Sequence, residues 1–380
     1  MLYYKIEVFI FWGKRVLNKH LESLKQRDSS LDLIRIFAFF SVICVHFFMN
    51  NGYYMQPVLG KRMYVMTLLR AFFMDCVPMF LILSGFLMNQ KKISKSYYVG
   101  ILKTGVIYVL SSIACLLFAS KSDPMSWKDF ILKTLSFQGA PYAWYIEMYL
   151  GLFLLIPFLN LTFNCLQNQK QAQTLLITML LLTAFPSVLN ATHKVLPAWW
   201  ISIYPITYYY IGAYLSKYPP KIKSRYLLLL LIPHILLIGT YNYIMSYNQS
   251  FVDGLWAQWG SLFNVITTVL VFLIVKNIDT QSWNVKVKAL IKYISSLTLA
   301  AYLLSWIGDK IFYPVLHQKI PNMIYRLEYM GIMVIVLSVF SLLLSVVVTF
   351  LSNQILKLIH FFIKKVQEHK NKAKLKKAEF

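Results

Sequence analysis

The sequence predicts an all-α, polytopic membrane protein with about ten transmembrane helices. Apolar side chains make up 58% of the 380 residues, and charged side chains only 14%. Apolar runs of roughly 20 residues, the length at which a helix crosses the hydrocarbon core, recur along the chain. With 27 Phe, 26 Tyr and 9 Trp, the chain is also more aromatic than a soluble domain requires. A large soluble core therefore explains this composition poorly.

Ten apolar segments are predicted to cross the membrane. They are centred on residues 33–49, 66–88, 97–119, 142–163, 174–190, 200–216, 226–246, 255–275, 289–308 and 329–351. The fourth is bracketed by Pro141 and Pro157. The fifth is short and ends at Pro186, which predicts a broken or tilted helix. The pair Asp309 and Lys310 is expected to mark the end of the ninth.

The net charge of +24 follows from membrane topology better than from nucleic-acid binding. If the N-terminus is inside and the loops alternate, the cytoplasmic segments hold Lys and Arg in a ratio of roughly three to one over the outer loops. This bias predicts a cell-membrane protein with both termini in the cytoplasm and with lipid, not nucleic acid, as its surroundings. Three segments are expected: a cytoplasmic interfacial segment (1–30), a ten-helix membrane domain (31–358) and a basic cytoplasmic tail (359–380).

Three ionisable residues lie in or beside the first apolar segment: Asp32, Arg35 and His46. On a helix, Arg35 and His46 are roughly 16 Å apart along the axis and about 20° apart in angle, and Asp32 is about 40° from His46. Such groups are costly in hydrocarbon and usually face a bundle interior or a cavity. The shared face predicts a site in which His46 is a general base and Arg35, near the cytoplasmic mouth, binds an anionic cofactor.

Each member of this face also has a simpler explanation. His46 could pack between helices, and the Arg35 side chain could extend to the lipid headgroups. Asp32 fits a carboxylate that pairs with Arg35 or caps the helix.

A second group of polar residues lies in the second apolar segment. Asp75 is a carboxylate in an apolar run and a further catalytic candidate, and Pro78 frees backbone carbonyls one turn earlier. The Ser84-Gly85 pair permits close approach of a ligand or of another helix, so Ser84 is a substrate-binding candidate. Arg70 is placed near the outer face, where it would hold either Asp75 or an outer substrate. The alternative for the whole segment is a kinked, tightly packed helix.

A third group is the aromatic segment that contains Trp144, Tyr145 and Glu147. Trp144 and Glu147 are substrate-binding candidates, because an aromatic face stacks on a sugar ring and a carboxylate binds hydroxyl groups. An interfacial aromatic anchor with a partly solvated glutamate explains the same residues. No phosphate-binding loop, dinucleotide fingerprint, nucleophile elbow or zinc pattern is found, so no metal is expected.

These motifs resemble those of the integral-membrane acyltransferase 3 family of bacteria. Arg35 and His46 match the family's arginine, ten residues and histidine, preceded here by Leu31-Asp32. A second signature is similar to Val77-Pro78-Met79-Phe80 followed by Ser84-Gly85-Phe86-Leu87, and Ala143-Trp144-Tyr145 stands where the family tends to place an aromatic pair. The resemblance extends from about Ser30 to about Leu358. One departure is Ser305, which stands near the place of a second histidine in many members.

The resemblance implies transfer of an acyl group, usually acetyl, from cytoplasmic acyl-CoA to a hydroxyl of a cell-surface polysaccharide or its lipid-linked precursor. It also implies that His46 is the catalytic base and that Arg35 helps to hold the acyl donor. The competing hypothesis is a transporter or flippase for a lipid-linked sugar, because intramembrane charges and kinked helices suit transport too. The sequence contains no inverted repeat in favour of that alternative.

Overall fold

The computed structural model describes residue 22 and residues 26–190, 193–253, 256 and 258–378, with residues 366–378 described by their backbone alone. The described chain is helical, and its extended contacts are two isolated bridges, Pro57 with Ser250 and Val58 with Tyr247. Most of the segment predicted to lie on the membrane surface, 1–30, falls outside the described residues.

The described residues form fourteen α-helices and three short 3₁₀ helices. The α-helices are α1 (Ser30–Asn50), α2 (Gly60–Phe73), α3 (Cys76–Met88), α4 (Lys95–Val99), α5 (Leu102–Ala119), α6 (Trp127–Leu135), α7 (Trp144–Asn164), α8 (Gln169–Thr183), α9 (Pro186–Leu189), α10 (Tyr204–Lys217), α11 (Ser224–Met245), α12 (Leu262–Lys276), α13 (Val285–Lys319) and α14 (Met330–Ala378). The 3₁₀ helices are Tyr53–Met55, Ile201–Ile203 and Met323–Tyr329.

Eight helical segments of the described chain are long and apolar enough to cross a membrane. They correspond to eight of the ten predicted segments. The other two predicted segments form the shorter helices α10 and α12, of 14 and 15 residues. A helix of that length extends only about 22 Å, which is less than the thickness of a typical hydrocarbon core. The all-α, polytopic membrane architecture is thus confirmed.

Helix breaks and extensions refine the predicted boundaries. The second segment is divided between α2 and α3 at Met74 and Asp75, and the fifth is divided between α8 and α9, as its proline predicted. The ninth extends as α13 to Lys319, beyond the end expected at Asp309 and Lys310. The last helix continues to Ala378, so no helix end marks the predicted boundary after Leu358.

The chain divides into two compact units, and the first comprises residues 1–87 and 168–298. The start of α1 is fixed there by polar contacts. The Asp28 carboxylate accepts a hydrogen bond from the Ser30 N–H at 3.0 Å and forms an ion pair with Lys276, at the end of α12, at 2.8 Å. The N–H of Ser29 donates to the Thr280 hydroxyl at 3.1 Å. These contacts hold the beginning of α1 against the end of α12.

The second unit comprises residues 88–167 and 299–380. The Asn160 amide on α7 donates to the carbonyls of Met88 and Lys91, at 2.8 Å each, and holds the loop before α4. The Tyr97 ring on α4 stacks on Phe153 of α7, with ring centres 4.4 Å apart. Polar side chains thus fix irregular backbone that would otherwise lack partners among apolar helices.

Candidate active site

The face predicted on the first apolar segment lies on one unbroken helix, α1. Arg35 and His46 are therefore separated by three helical turns, or roughly 16 Å along the axis, as an unbroken helix requires. The two residues differ in exposure. The Arg35 side chain is 33% exposed, whereas His46 is buried, with 8% of its surface exposed.

Asp32 is the centre of a polar network at the start of α1. Its carboxylate, 2% exposed, accepts two hydrogen bonds from the Arg27 guanidinium, at 2.6 and 2.9 Å. The Ser295 hydroxyl on α13 donates to Oδ1 at 2.9 Å. The hydrogen bonds from Arg27 to Asp32 raise the pKa of the Arg27 guanidinium above its usual value. Asp32 therefore orients neighbouring side chains.

Arg35 is held at the same carboxylate by a longer contact. Its Nη1 lies 3.6 Å from Asp32 Oδ1 and donates to the Ser295 hydroxyl at 2.9 Å. Two guanidinium groups, those of Arg27 and Arg35, thus share one carboxylate. Since both are about one-third exposed, this end of the helix presents an excess positive charge that suits a phosphate-bearing ligand.

His46 lies in the last turns of α1. Its backbone carbonyl accepts a hydrogen bond from the Asn50 amide at 3.0 Å. Burial removes the imidazole from bulk water, which is the setting in which a general base acts on a bound hydroxyl without competition from solvent. The structure fixes the position of His46, and its catalytic role stays a prediction.

Asp75 lies at the break between α2 and α3 and is fully buried. Its backbone carbonyl accepts the Met79 N–H at 2.8 Å, which starts α3. Within the described residues, neither carboxylate oxygen has a hydrogen-bond partner. A buried carboxyl group with spare acceptor capacity is a candidate for acid–base chemistry, so Asp75 stays a catalytic candidate.

The break before α3 is supported from α12. The Asn264 amide donates to the carbonyl of Met74 at 3.1 Å and to that of Trp259 at 3.4 Å. The Asn264 side chain thus satisfies a backbone carbonyl that the break leaves without an intrahelical partner.

Ser84 and its neighbour Gly85 lie on α3 against α10. The Ser84 hydroxyl donates to the Phe80 carbonyl of its own helix at 2.8 Å. A Cβ at Gly85 would overlap the backbone carbonyl of Tyr209. The close approach predicted for this pair is made by another helix, and substrate binding by Ser84 stays a prediction.

Arg70 does not hold Asp75, and that alternative is wrong. It lies in the last turn of α2, where its Nε donates to the Tyr54 hydroxyl at 2.8 Å. Its Nη2 lies 3.5 Å from an oxygen of Asp253. The break at Met74 and Asp75 ends the helix after Arg70, and the charge is directed instead to the loop that carries Asp253.

The two remaining site candidates begin α7 in the second unit. Trp144 is 36% exposed, and Glu147 is exposed in the first turn of the helix. The adjacent Tyr145 is buried and contacts the Tyr302 ring edge-on, with centres 6.1 Å apart. Exposure fits either an interfacial anchor or a surface that meets substrate, so their substrate-binding role stays a prediction.

Asp309 does not mark the end of the ninth segment, and that expectation is wrong. Asp309 is 2% exposed within α13, and its carboxylate accepts a hydrogen bond from the Tyr142 hydroxyl at 2.6 Å. The Tyr302 hydroxyl donates to the Tyr142 backbone carbonyl. The burial of Asp309 was not expected from the sequence, because an acidic residue next to a basic one usually marks an exposed turn. The apolar residues that follow Lys310 were the signal that the helix continues.

Fold and site together define a polytopic membrane protein that holds an acid, a base and an imidazole on one helical face. A model of the acyltransferase domain family matches residues 28–353, which is most of the chain. The chain therefore belongs to the acyltransferase 3 family and is a membrane acyltransferase. Neither the curated proteins nor the solved structures contain a match to this chain.

Proposed function

We propose that this membrane acyltransferase moves an acyl group, in the simplest case acetyl, from cytoplasmic acyl-CoA to a hydroxyl of a saccharide. The acceptor is a cell-surface polysaccharide or its lipid-linked precursor. The observation that carries the proposal is the placement of Arg35 and His46 on one face of α1. The partly exposed guanidinium and the buried imidazole are suited to the two halves of one transfer reaction.

His46 takes the proton of the acceptor hydroxyl as its oxygen attacks the thioester carbonyl. The carbon–sulfur bond of the donor breaks, the new ester bond forms, and the CoA thiolate receives the proton from the imidazolium. One proton is thus removed and returned, so the step needs no metal and no cofactor other than acyl-CoA, the donor substrate.

The network around Asp32 supports donor binding at the cytoplasmic end. Asp32 holds Arg27 and Arg35 on one carboxylate, which leaves net positive charge for the phosphates of CoA. In this proposal Asp32 acts by positioning the two arginines. Asp75 is a second acid–base group of the site.

Four residues are assigned to the acceptor: Arg70, Ser84, Trp144 and Glu147. The two on α7 bring an exposed indole and an exposed carboxylate, which suit a sugar ring and its hydroxyls. The excess of Lys and Arg in alternate loops supports both termini in the cytoplasm, where acyl-CoA is present.

The competing function is a transporter or flippase for a lipid-linked sugar, which suits the break at Met74 and Asp75. Incubation of membranes that contain the protein with radiolabelled acetyl-CoA tests both. We expect label to enter the saccharide fraction in an ester that mild base removes. A transporter would translocate the sugar and leave it unlabelled, and that result would reject acyl transfer.

A further inference from the structure

Arg70 is enclosed by aromatic rings. The side chain is 3% exposed. Its guanidinium carbon lies 4.4 Å from the centre of the Phe251 ring and 5.2 Å from that of Tyr54, whose hydroxyl accepts a hydrogen bond from Nε. Contacts between a guanidinium and ring faces hold the group in place but do not neutralise its charge. The two terminal nitrogens, Nη1 and Nη2, need acceptors from elsewhere.

The described residues provide only one weak acceptor for these two nitrogens. Asp253 lies 3.5 Å from Nη2, at the outer limit of a hydrogen bond, and its side chain is 65% exposed. Nη1 is buried and has no hydrogen-bond acceptor in the part of the chain that the structure describes. A buried guanidinium usually has a well-placed carboxylate or phosphate partner, because removing its charge from water is costly. Among the described residues, Arg70 has no such well-placed partner.

Two loops place Phe251 and Asp253 over Arg70. The N–H of Val58 donates to the carbonyl of Gln249 at 2.9 Å, and the N–H of Val252 donates to the Ser246 hydroxyl at 3.0 Å. These bonds fix the backbone on both sides of Phe251. Asp253 then reaches Arg70 from the solvent side, which makes its carboxylate the contact that a ligand can replace.

We propose that Arg70 binds the carboxylate of a ligand, which replaces Asp253 and contacts Nη1 and Nη2 together. Asp253 engages one nitrogen with one oxygen, whereas a carboxylate placed in the plane of the guanidinium engages both. The ligand class is a small organic acid, and a sugar acid where the ligand is a saccharide. Binding is measured without acyl-CoA, so its outcome does not depend on the proposed transfer reaction.

The test is the melting temperature of the purified full-length protein in detergent, titrated with glucuronate and, separately, with glucose. The two sugars share a ring and differ in the carboxylate. We expect glucuronate to raise the melting temperature by roughly 2–4 °C at ten times its Kd and glucose to leave it unchanged. Arg70→Gln should abolish the rise. Asp253→Asn should lower the Kd about threefold to tenfold, because the competing charge is removed.

Arg225→Gln is the matched control. Arg225 is an exposed arginine that also contacts an aromatic ring, that of Tyr226, with its guanidinium carbon 4.7 Å from the ring centre. This variant should respond to glucuronate as the unmodified protein does. An equal response to glucose, or a response that persists in Arg70→Gln, would overturn the proposal.

Two further outcomes decide the remaining cases. Inorganic phosphate, or anionic lipid in nanodiscs, could stabilise the protein while glucuronate does not. That result would identify the ligand of Arg70 as a phosphate and overturn the proposed carboxylate class. If Arg70→Gln does not fold, Asp253→Asn decides alone. Unchanged or weaker glucuronate binding by Asp253→Asn would overturn the proposal that a ligand carboxylate replaces Asp253 at Arg70.

Discussion

Gly85 on α3 and Gly212 on α10 lie at a crossing where two helix backbones touch. A Cβ at Gly85 would overlap the carbonyl oxygen of Tyr209, and a Cβ at Gly212 would overlap that of Ile82. Each glycine is therefore required by the opposite helix. Small residues permit this approach between membrane helices, where close backbone contact takes the place of the hydrophobic effect.

Gly85→Ala should destabilise the protein by about 3 kcal/mol, at the upper end of the cost of overpacking, because rigid backbone rather than a flexible side chain blocks the new methyl group. The measurement is the melting temperature in detergent. Gly151→Ala on α7 is the control, since nothing lies within 4 Å of a Cβ there. Equal melting temperatures for the two variants would contradict the close backbone contact between α3 and α10 at Gly85.

Asp32→Asn should cost about 1–3 kcal/mol, because it removes the charge that holds Arg27 and Arg35 while both arginines keep partial access to water. The loss is measured by thermal unfolding. Asp279→Asn changes an exposed carboxylate that accepts the Gln281 N–H and should cost less. If both variants unfold at the same temperature, Asp32 is not the centre of the network.

Much of the architecture was predictable from local sequence. The length and apolarity of a span are properties of consecutive residues, so eight long segments and the break before Pro186 were found. The faces of α1 were also predictable, because one unbroken helix fixes the angle between Arg35 and His46.

Partners distant in sequence were not predictable. Nothing near Asp32 indicates Ser295, which lies 263 positions further on and contributes a hydrogen bond to its carboxylate. Arg70 illustrates the same limit, since Asp75, five residues away, was one of the two partners considered for it, and the observed contact is instead with Asp253. Such contacts depend on how helices pack, which periodicity does not determine.

Asp28 should make stability depend on pH at the acidic end. Burial of the carboxyl opposes its ionisation, but hydrogen bonds from Lys276 and Ser30 outweigh burial and lower the pKa of Asp28 below its usual value. A lowered folded-state pKa adds stability above the unfolded value of about 3.9, and that stability is lost as the pH falls through the folded pKa.

The melting temperature of Asp28→Asn should therefore decline less steeply than that of the unmodified protein between about pH 5 and pH 3. Asp279→Asn, which lacks a lysine partner within the described residues, should retain the full decline. A parallel decline in all three proteins would exclude the contribution of the Asp28–Lys276 pair.

Arg35→Gln should raise the KM for the acyl donor by about 10- to 100-fold, which is the loss expected when a hydrogen bond to a charged group is removed. The value of kcat should change less, because the proposed contact is to the phosphates rather than to the reacting carbonyl. Arg35→Lys should restore only part of the affinity, because lysine keeps the positive charge but lacks the paired N–H donors of the guanidinium. Steady-state kinetics with acetyl-CoA measures both constants, and an unchanged KM would assign Arg35 to packing or lipid contact.

His46→Ala should lower the rate of acyl transfer by at least about 100-fold, the smaller contribution of a general base, while the amount of protein in the membrane stays the same. Initial rates with radiolabelled acetyl-CoA, normalised to protein in the membrane, provide the measurement. His234→Ala is the control, because that half-buried imidazole on α11 contacts the Phe263 carbonyl at 2.9 Å and is assigned no catalytic role.

His46→Asn separates the two explanations of this histidine. Asparagine keeps a polar, hydrogen-bonding side chain of similar size in the interior of α1, but it does not accept a proton near neutral pH. If His46 is the base, the asparagine variant should be as inactive as the alanine variant and melt nearer to the unmodified protein. An asparagine variant that transfers acyl groups at the full rate would show that His46 only packs between helices. In that case the proton of the acceptor hydroxyl must go to another group, and Asp75 would be the next to test.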